Sequence, residues 1–168
     1  AGVGAQHGFD ASITVLVNNA GIGAVAPLLQ SAVDDMERMI QLNVTALTRL
    51  TYAAVPGFVA RGGGTVINIS SIVGIAPEIL NGVYGASKAY VLAFSQSLHH
   101  ELAAQGIRVQ AVLPGATATD FWDAAGHSLD NLPESIVMRA DAMVDAALAG
   151  LEQGEVVTIP GLHQGEKW

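Results

Sequence analysis

The sequence of 168 residues contains no cysteine and has few basic or aromatic residues. The absence of cysteine excludes disulfide bonds and thiolate metal sites, and it gives no information about the cellular compartment. Seven basic residues against fifteen acidic ones give a net charge of −8. This charge argues against a nucleic-acid partner, because proteins that bind nucleic acids present basic patches. No apolar run approaches the roughly 18 residues of a membrane-spanning helix, so no membrane partner is expected.

Other absent signals narrow the class of protein further. The N-terminus has no basic segment followed by an apolar stretch, so we expect no signal peptide and a cytoplasmic enzyme. His99 and His100 are adjacent on a predicted helix and therefore do not share a face as a ligand pair. The remaining histidines fit no metal-ligand spacing either: His7, His127 and His163. We predict no metal site, and the length fits a single domain with a substantial core.

Short apolar runs alternate with amphipathic stretches along the chain. The runs rich in β-branched residues predict strands at 13–17, 65–70, 107–113 and 156–159. The helices predicted between them cover 32–55, 83–104 and 140–151. Residues 116–134 are predicted to form a long surface loop with a short helix. The order β-α-β-α-β-α-β predicts an α/β fold with a doubly wound parallel sheet.

The first predicted helix carries start, stop and packing signals. Ser31 followed by Asp34 is typical of a capping box, and Pro56 followed by glycine is typical of a helix end. Side chains at three- and four-residue steps predict one inward stripe, made of Met36, Ile40, Asn43, Leu47, Leu50 and Ala54. Asn43 is the only polar member of this stripe, and a buried asparagine costs stability unless it is hydrogen-bonded.

Tyr84 and Lys88 lie four residues apart in the second predicted helix. Residues at this spacing share one helix face, so the lysine ammonium is expected beside the phenol. A neighbouring positive charge favours the phenolate and lowers the pKa of a tyrosine. This pairing is typical of a tyrosine that acts as a general acid or base near neutral pH.

Polar or turn-forming residues follow each of the first three predicted strands. These residues are Asn18-Asn19, Ser70-Ser71 and Pro114-Gly115. In open α/β sheets, ligands bind at the carboxyl ends of the parallel strands. The three pairs therefore predict one shared cleft.

Five motifs, in this order and spacing, resemble the short-chain dehydrogenase/reductase family. They are Asn18-Asn19-Ala20-Gly21, Leu42-Asn43-Val44, Ser70-Ser71, Tyr84-x-x-x-Lys88 and the segment from Pro114 to Thr119. The resemblance covers residues 13–119 closely and continues more loosely to about 160. It implies a Rossmann-like fold, NAD or NADP as cofactor, and hydride transfer that interconverts a small-molecule carbonyl and a secondary alcohol.

The resemblance implies catalytic roles for four residues. Tyr84 would exchange a proton with the substrate oxygen, and Lys88 would lower the Tyr84 pKa and bind the nicotinamide ribose. Ser71 would donate a hydrogen bond to the same substrate oxygen, whereas Ser70 is interpreted as a structural neighbour. Asn43 would position a water in a proton relay behind the lysine. A purely structural buried asparagine is the alternative for Asn43.

The resemblance also implies further contacts with the cofactor. Besides Tyr84 and Lys88, the expected residues are Asn19, Ala20 and Gly21 on the adenosine side, and Pro114, Gly115 and Thr119 at the nicotinamide carboxamide. Two alternatives stay open. Asn18 and Asn19 equally fit a role as ties between strand ends, and the Pro114-Gly115 segment also fits an ordinary turn.

Two other features of the family bear on substrate and assembly. Family members shape the substrate pocket at the positions of Glu78, Ile79, Phe121 and Trp122, whose mostly apolar side chains favour a substrate with apolar bulk.

The two long helices commonly pack against their copies in family tetramers. Small side chains in the second helix permit close approach, so we expect a homodimer or homotetramer: Ala86, Ala89 and Ala93.

One part of the family pattern has no counterpart in this sequence. The family's Gly-rich phosphate loop lies far upstream of the Asn-Asn-Ala-Gly turn, whereas only residues 1–12 precede the first predicted strand. The glycines in that stretch have the wrong spacing: Gly2, Gly4 and Gly8. We therefore expect residues 1–168 to be one N-terminally truncated domain, the second half of a Rossmann-like sheet. The preference between NAD and NADP stays open.

The expected truncation has consequences for folding and function. Strand 13–17 would present an unpaired apolar edge, so we expect the 168 residues alone to be insoluble, molten or domain-swapped. A non-catalytic remnant or interaction module of the same fold is the alternative function. A third possible function is that of an epimerase or dehydratase from the extended branch of the family, which shares the Tyr-x-x-x-Lys motif. The Asn-Asn-Ala-Gly turn and the Ser-Ser placement argue against that branch.

Overall fold

Parallel strands build the centre of the protein, whose computed structural model describes residues 10–126 and 128–161. Within these residues the strands are β1 (Val15–Asn18), β2 (Gly64–Ile69), β3 (Ile107–Val112), β4 (Thr117–Ala118), β5 (Met138–Arg139) and β6 (Val157–Thr158). The main sheet has the order β1-β2-β3-β6, and every neighbouring pair is parallel. Strands β4 and β5 form a second, two-stranded parallel sheet, which the sequence did not predict.

Helices connect the strands of the main sheet in the predicted order. They are α1 (Val33–Ile40), α2 (Leu47–Ala60), α3 (Gly82–Leu102), α4 (Phe121–Ala124) and α5 (Ala140–Glu152). A π-helical segment, Gln41–Ala46, joins α1 to α2 without a break. The predicted β-α-β-α-β-α-β order is therefore confirmed, and the short helix expected in the loop at 116–134 is α4.

The main sheet is covered on both faces, as a doubly wound fold requires. On one face, Val66 and Val109 pack in one apolar cluster with Phe58 of α2. On the other face, Ile67 packs in a cluster with Ala147 of α5. Because successive strand residues point to opposite faces, Val66 and Ile67 contribute to two different apolar clusters.

Two predicted signals of the first helix are wrong. Ser31 does not cap α1, since the residue at the cap is Ala32 and the Ser31 hydroxyl donates to the Leu28 carbonyl in the preceding turn. Pro56 does not end the helix, which continues to Ala60. Proline inside a helix costs about 3 kcal/mol. Burial of Phe58, which is fully enclosed in the core, stabilises the last turn of α2 against that cost.

The predicted inward stripe of this helix is also partly wrong. Ile40 and Leu50 are each 44% exposed, whereas the buried side chains are Met39, Asn43, Leu47, Thr51, Ala54 and Phe58. Successive members of this buried set are mostly four positions apart, whereas the predicted stripe alternated steps of four and three. The π-helical segment has a wider turn than an α-helix, so a four-residue step keeps side chains on one face across it.

Strand β1 lies at one end of the main sheet, as its predicted edge position requires. Val15 is 48% exposed and Val17 is 53% exposed, although both are β-branched side chains of a strand. Helix α5 covers Ile67 of β2, whereas Val17, the residue paired with Ile67, is left half uncovered. Within the described residues, no strand pairs with the outer side of β1.

Candidate active site

The residues of the predicted cleft lie at the carboxyl ends of β1, β2 and β3. Ser71 follows β2, and its hydroxyl donates a hydrogen bond of 3.3 Å to the carbonyl of Pro114, which follows β3. The backbone amide of Ile72 donates to the same carbonyl over 3.0 Å. The Ser71 and Pro114 segments are therefore held together, as expected from their positions after neighbouring parallel strands.

The start of α3 is fixed by an asparagine that the sequence analysis missed. The Asn81 side-chain oxygen accepts hydrogen bonds from the backbone amides of Val83 and Tyr84, while its amide donates to the Ala26 carbonyl over 2.6 Å. Asn81 therefore caps the helix and ties it to the loop after β1. Asparagine directly before the first helical residue was the available signal.

Ser71 is close enough to Tyr84 to influence the ionisation of its phenol. Burial raises the pKa of Tyr84 to about 12, and the hydrogen bond with the Ser71 side chain partly opposes this rise. The four-residue spacing of Tyr84 and Lys88 predicted a lowered Tyr84 pKa. That expectation is wrong, because loss of hydration of the phenolate outweighs the interaction with Ser71 that favours it.

Lys88 lies on the same face of α3 as Tyr84, as the four-residue spacing predicted. Its Nζ atom is 5.8 Å from the centroid of the Tyr84 ring and donates a hydrogen bond of 3.0 Å to the Ile69 carbonyl. Burial lowers the pKa of Lys88 to about 8. The ammonium has three donor hydrogens, and the protein carbonyl accepts one of them. The other two are available for oxygen atoms of a ligand.

Asn43 lies in the π-helical segment and is almost completely buried. Its side-chain oxygen accepts from the Ile22 amide over 2.9 Å, and its amide donates to the Ile22 carbonyl over 2.8 Å. The amide also donates to the Ser87 hydroxyl, which in turn donates to the Tyr84 carbonyl. Both amide hydrogens are therefore used. The geometry favours the structural alternative for this side chain, and the water relay stays a prediction.

Gly21 lies against the residues of the predicted catalytic group. A Cβ atom built on Gly21 would be 3.3 Å from Oδ1 of Asn43 and 3.4 Å from Nζ of Lys88. The absence of a side chain leaves a shallow space above the lysine ammonium. This space and the available hydrogens of Lys88 fit the ribose end of a nicotinamide nucleotide, so the residues present suit the predicted cofactor.

The other predicted cofactor contacts are distributed differently. Asn19, Ala20 and Thr119 are exposed, and Gly115 is half-buried beside the enclosed Pro114. Among the described residues, no hydrogen bond joins the side chains of Asn19 and Thr119 to the catalytic group. Their contact with a cofactor stays a prediction.

Asn18 and Asn19 have different environments, although the sequence analysis gave them the same alternatives. The Asn18 amide donates to the side-chain oxygen of Asn68 over 2.8 Å and to the Thr51 hydroxyl over 3.2 Å. Asn68 donates in turn to the Ser95 hydroxyl. Asn18 therefore ties the end of β1 to β2 and α2, whereas Asn19 is exposed.

Phe121 brings the loop after β3 onto Tyr84. Its ring centroid is 5.7 Å from that of Tyr84, with an angle of 40° between the ring planes. Trp122 is buried beside it and donates from Nε1 to the Thr117 carbonyl over 2.9 Å. The other two predicted pocket residues, Glu78 and Ile79, are exposed on a turn before α3.

No cluster of three or more His, Asp or Glu side chains among residues 10–126 and 128–161 could hold a metal ion. In the same residues, no helix has the length and apolar character needed to cross a membrane.

Comparison with known proteins identifies a matching family and similar solved structures, all of them dehydrogenases. The family described as short chain dehydrogenase matches residues 4–130. The structure resembles that of a short-chain dehydrogenase from Sphingobium yanoikuyae in complex with NADPH, with 50% identity, a TM-score of 0.91, and coverage of 95% of this chain and 62% of that one. It also resembles a bulky-bulky ketone specific alcohol dehydrogenase from Comamonas testosteroni, with 46% identity, a TM-score of 0.84, and coverage of 95% and 59%.

A curated relative is similar over a shorter stretch. The very-long-chain 3-oxoacyl-CoA reductase of Anas platyrhynchos is 38% identical over 133 residues, which are 76% of this chain and 43% of that protein. The chain therefore spans about two fifths of the length of this relative.

Proposed function

The chain belongs to the short-chain dehydrogenase family, and from this premise we propose that it carries the catalytic centre of an NAD(P)-dependent reductase that interconverts a ketone and a secondary alcohol. The observation that carries the proposal is the arrangement of three side chains: the Ser71 hydroxyl acts on the Tyr84 phenol, and the Lys88 ammonium lies 5.8 Å from the centroid of the tyrosine ring. Two donors that converge on one point suit a single carbonyl oxygen.

In the direction of reduction, Tyr84 acts as the general acid. A pKa of about 12 keeps its hydroxyl protonated at neutral pH, which suits donation of a proton to the substrate oxygen. The hydroxyl of Ser71 donates a hydrogen bond to the same oxygen and stabilises the negative charge that develops there. The bound nicotinamide supplies the hydride chemistry.

Lys88 stabilises the tyrosine after the proton has left. With a pKa of about 8, its amine is mostly protonated at pH 7, so it provides a positive charge beside the phenolate. The two donor hydrogens that no carbonyl accepts are assigned to the ribose hydroxyls of the cofactor. Asn43 holds the loop at Ile22 and, through Ser87, the first turn of α3, and thereby keeps the catalytic residues in position.

The proposed substrate is a ketone with apolar groups on the carbonyl carbon. Two observations support this class. The space next to Tyr84 is bounded by the aromatic ring of Phe121, and the 46% identical neighbour from Comamonas testosteroni is described as specific for bulky-bulky ketones. We propose NADP(H) or NAD(H) as the cofactor. The neighbour from Sphingobium yanoikuyae is in complex with NADPH, so activity with NADPH is to be measured beside activity with NADH.

We also propose that the protein acts as a homodimer or homotetramer. Apolar side chains are exposed along the α1–α2 helix and on α3, including Ile40, Leu50, Tyr52 and Tyr90. Exposed apolar patches on helices are typical of subunit interfaces. Light scattering of the complete protein after size exclusion measures the mass, and a monomer at micromolar concentration would contradict this assembly.

Replacement of Tyr84 by Phe tests the proposed reaction. In the complete protein, Tyr84→Phe is expected to lower kcat/KM for aryl ketones by about 10²- to 10⁴-fold, because general acid catalysis contributes that much. Affinity for NADPH, measured by nucleotide fluorescence, is expected to stay within about twofold, since the phenol hydroxyl binds the substrate oxygen.

Tyr90→Phe is the matched control for this experiment. Tyr90 lies on the same helix, and its hydroxyl is hydrogen-bonded to Thr48 rather than to the catalytic group. Its loss is expected to leave kcat/KM unchanged. Turnover by Tyr84→Phe within tenfold of the wild-type value would remove Tyr84 from the mechanism.

A further inference from the structure

Two buried asparagines hold the loop of residues 21–26, which follows β1 and contains no helix or strand. Near its start, the side chain of Asn43 is hydrogen-bonded to both backbone groups of Ile22. At its end, the side-chain amide of Asn81 donates to the Ala26 carbonyl over 2.6 Å. The loop is therefore attached to the π-helical segment through one asparagine and to the start of α3 through the other.

The side chain of Asn81 binds two segments at once. Its Oδ1 atom accepts from the backbone amides of Val83 over 2.9 Å and Tyr84 over 3.3 Å, in the first turn of α3. Its Nδ2 atom donates to the Ala26 carbonyl in the loop. Among the residues that cap helices well, asparagine alone has both a carbonyl acceptor and an amide donor. One side chain therefore fixes the distance between the loop and the helical turn that contains Tyr84.

The start of the same loop faces the ammonium group of Lys88. A Cβ atom built on Gly21 would be 3.4 Å from Nζ of Lys88. Lys88 lies one turn after Tyr84 in α3, so the loop approaches this helix at its cap and again at the lysine. The space between Gly21 and Lys88 is the one that suits the nicotinamide ribose. Its width depends on how closely the loop is held to α3.

Packing alone leaves the loop space in which to shift. The ring of Phe121 covers its middle, where a Cβ atom built on Gly23 would be 2.8 Å from Cε2. Ile22 and Ala24 pack in the apolar cluster of Tyr84. However, four of the six loop residues also line a cavity of about 410 Å³, together with residues of α1 and the end of α4. Because this cavity leaves the loop room to move, its hydrogen bonds determine how close it stays to α3.

We propose that Asn81 is a positioning residue for cofactor binding, whose amide holds the loop against α3 and thereby sets the width of the space between Gly21 and Lys88. The inference rests on the proposed function, which assigns this space to the nicotinamide ribose. Without the amide donor, the loop is expected to populate positions further from α3. Binding of NADPH then has to select the held position, which lowers the apparent affinity.

Asn81→Ser in the complete protein separates the two roles of this side chain. Serine caps helices about as well as asparagine, but its hydroxyl lies one bond closer to the backbone and loses the contact with Ala26. The Kd for NADPH, measured by nucleotide fluorescence, is expected to rise about three- to tenfold, the range that one net hydrogen bond corresponds to. Asn81→Asp also keeps the cap and loses the donor, so the same rise is expected. A Kd within twofold of the wild-type value in both variants would overturn the proposal.

Asn68→Ser is the matched control for the loss of a buried amide. Asn68 is fully buried, and its side chain is hydrogen-bonded to Asn18 and Ser95 rather than to the loop. Its replacement is expected to lower Tm and to leave the Kd for NADPH within about twofold. An equal rise of Kd in Asn68→Ser and Asn81→Ser would assign the effect to general destabilisation and would contradict the role of Asn81.

A double-mutant cycle tests whether Asn81 acts through the loop. Gly21→Ala in the wild type is expected to raise the Kd for NADPH about tenfold, because the methyl group fills the space beside Lys88. In the Asn81→Ser background the loop is free to carry this methyl group away from the lysine, so a rise of less than threefold is expected. A tenfold rise in both backgrounds would show that Asn81 has no influence at Gly21.

Nucleotide binding and ketone reduction are measured separately, so that the two proposals fail separately. If the wild type binds NADPH and reduces no ketone, the proposed reaction is rejected, and a three- to tenfold rise of Kd in Asn81→Ser still supports the positioning role. If ketones are reduced and Kd is unchanged in both Asn81 variants, the proposed function stands and the positioning role is overturned. Binding of neither NADPH nor NADH by the wild type would reject both.

Discussion

The side chain of Ser70 is hydrogen-bonded to the backbone of Lys88. Its hydroxyl donates to the Lys88 carbonyl over 2.7 Å, and Nζ of the same lysine donates to the carbonyl of Ile69, the residue before Ser70. The end of β2 therefore holds Lys88 at both its backbone and its ammonium group. The adjacent Ser71 faces Tyr84 instead. Two neighbouring serines thus have different functions, because successive residues in extended backbone point in opposite directions.

This relationship predicts that replacing Ser70 mainly lowers stability, whereas replacing Ser71 mainly lowers kcat. Ser70→Ala removes a buried hydrogen bond and is expected to lower the free energy of unfolding by about 1–2 kcal/mol. Ser71→Ala is expected to lower kcat by about 10²-fold, since it removes a donor to the developing charge, and to cost about 0.5–1.5 kcal/mol in stability, since its part-buried hydrogen bond with the Pro114 carbonyl is lost. Urea unfolding and steady-state kinetics measure the two effects. The interpretation fails if Ser70→Ala has the larger effect on kcat.

The stability of the unliganded protein is expected to rise with pH between about 8 and 10. Burial lowers the pKa of Lys88 from 10.5 to about 8, so in this window the unfolded chain binds a proton that the folded protein has released. Excess proton binding by the unfolded state means that the free energy of unfolding increases with pH, here by about 2 kcal/mol. Above pH 10 the effect reverses, because folded Tyr84 keeps its proton up to a pKa of about 12.

Lys88→Met is the control for this pH dependence. Methionine keeps most of the apolar length of the side chain and carries no charge, so the rise between pH 8 and 10 is expected to disappear. Urea unfolding curves at half-unit intervals measure it. An equal slope in the variant and the wild type would assign the pH dependence to other groups.

The two neighbouring asparagines after β1 are expected to differ in their effect on stability. Asn18→Ala leaves the side-chain oxygen of the buried Asn68 without its donor and is expected to cost about 1–3 kcal/mol of unfolding free energy. Asn19→Ala changes an exposed side chain and is expected to cost less than about 0.5 kcal/mol. Thermal unfolding of both variants measures the difference. Equal losses would contradict the assignment of Asn18 as the tie between strands.

Gly21→Ala is expected to weaken cofactor binding without unfolding the protein. The added methyl group would lie 3.4 Å from Nζ of Lys88 and would fill the space assigned to the nicotinamide ribose. A loss of affinity for NADPH on the order of tenfold is expected, which corresponds to about 1.4 kcal/mol. Gly82→Ala at the start of α3 is the control, because no atom lies within 4 Å of its built Cβ. Unchanged affinity in Gly21→Ala would place the cofactor elsewhere.

Periodicity and strand-end chemistry predicted the fold and the composition of the site. The alternation of β-branched runs and amphipathic stretches is a local property, so the order of strands and helices could be derived before any contact was known. The carboxyl ends of parallel strands meet at one edge, and this rule brought Ser71 and Pro114 together correctly. The four-residue spacing of Tyr84 and Lys88 placed both on one face of α3.

The energetics of the site required the tertiary structure. The sequence predicted a lowered Tyr84 pKa from the neighbouring lysine, but burial by other elements raises it, because desolvation depends on everything that surrounds the phenol. The π-helical segment at Asn43 changed which residues of the first helix face inward. Likewise, the contact of Gly23 with Phe121 joins residues almost a hundred positions apart. Spacing along the chain determined which chemical groups are available, and packing between distant segments determined their protonation, their orientation and the room left for a substrate.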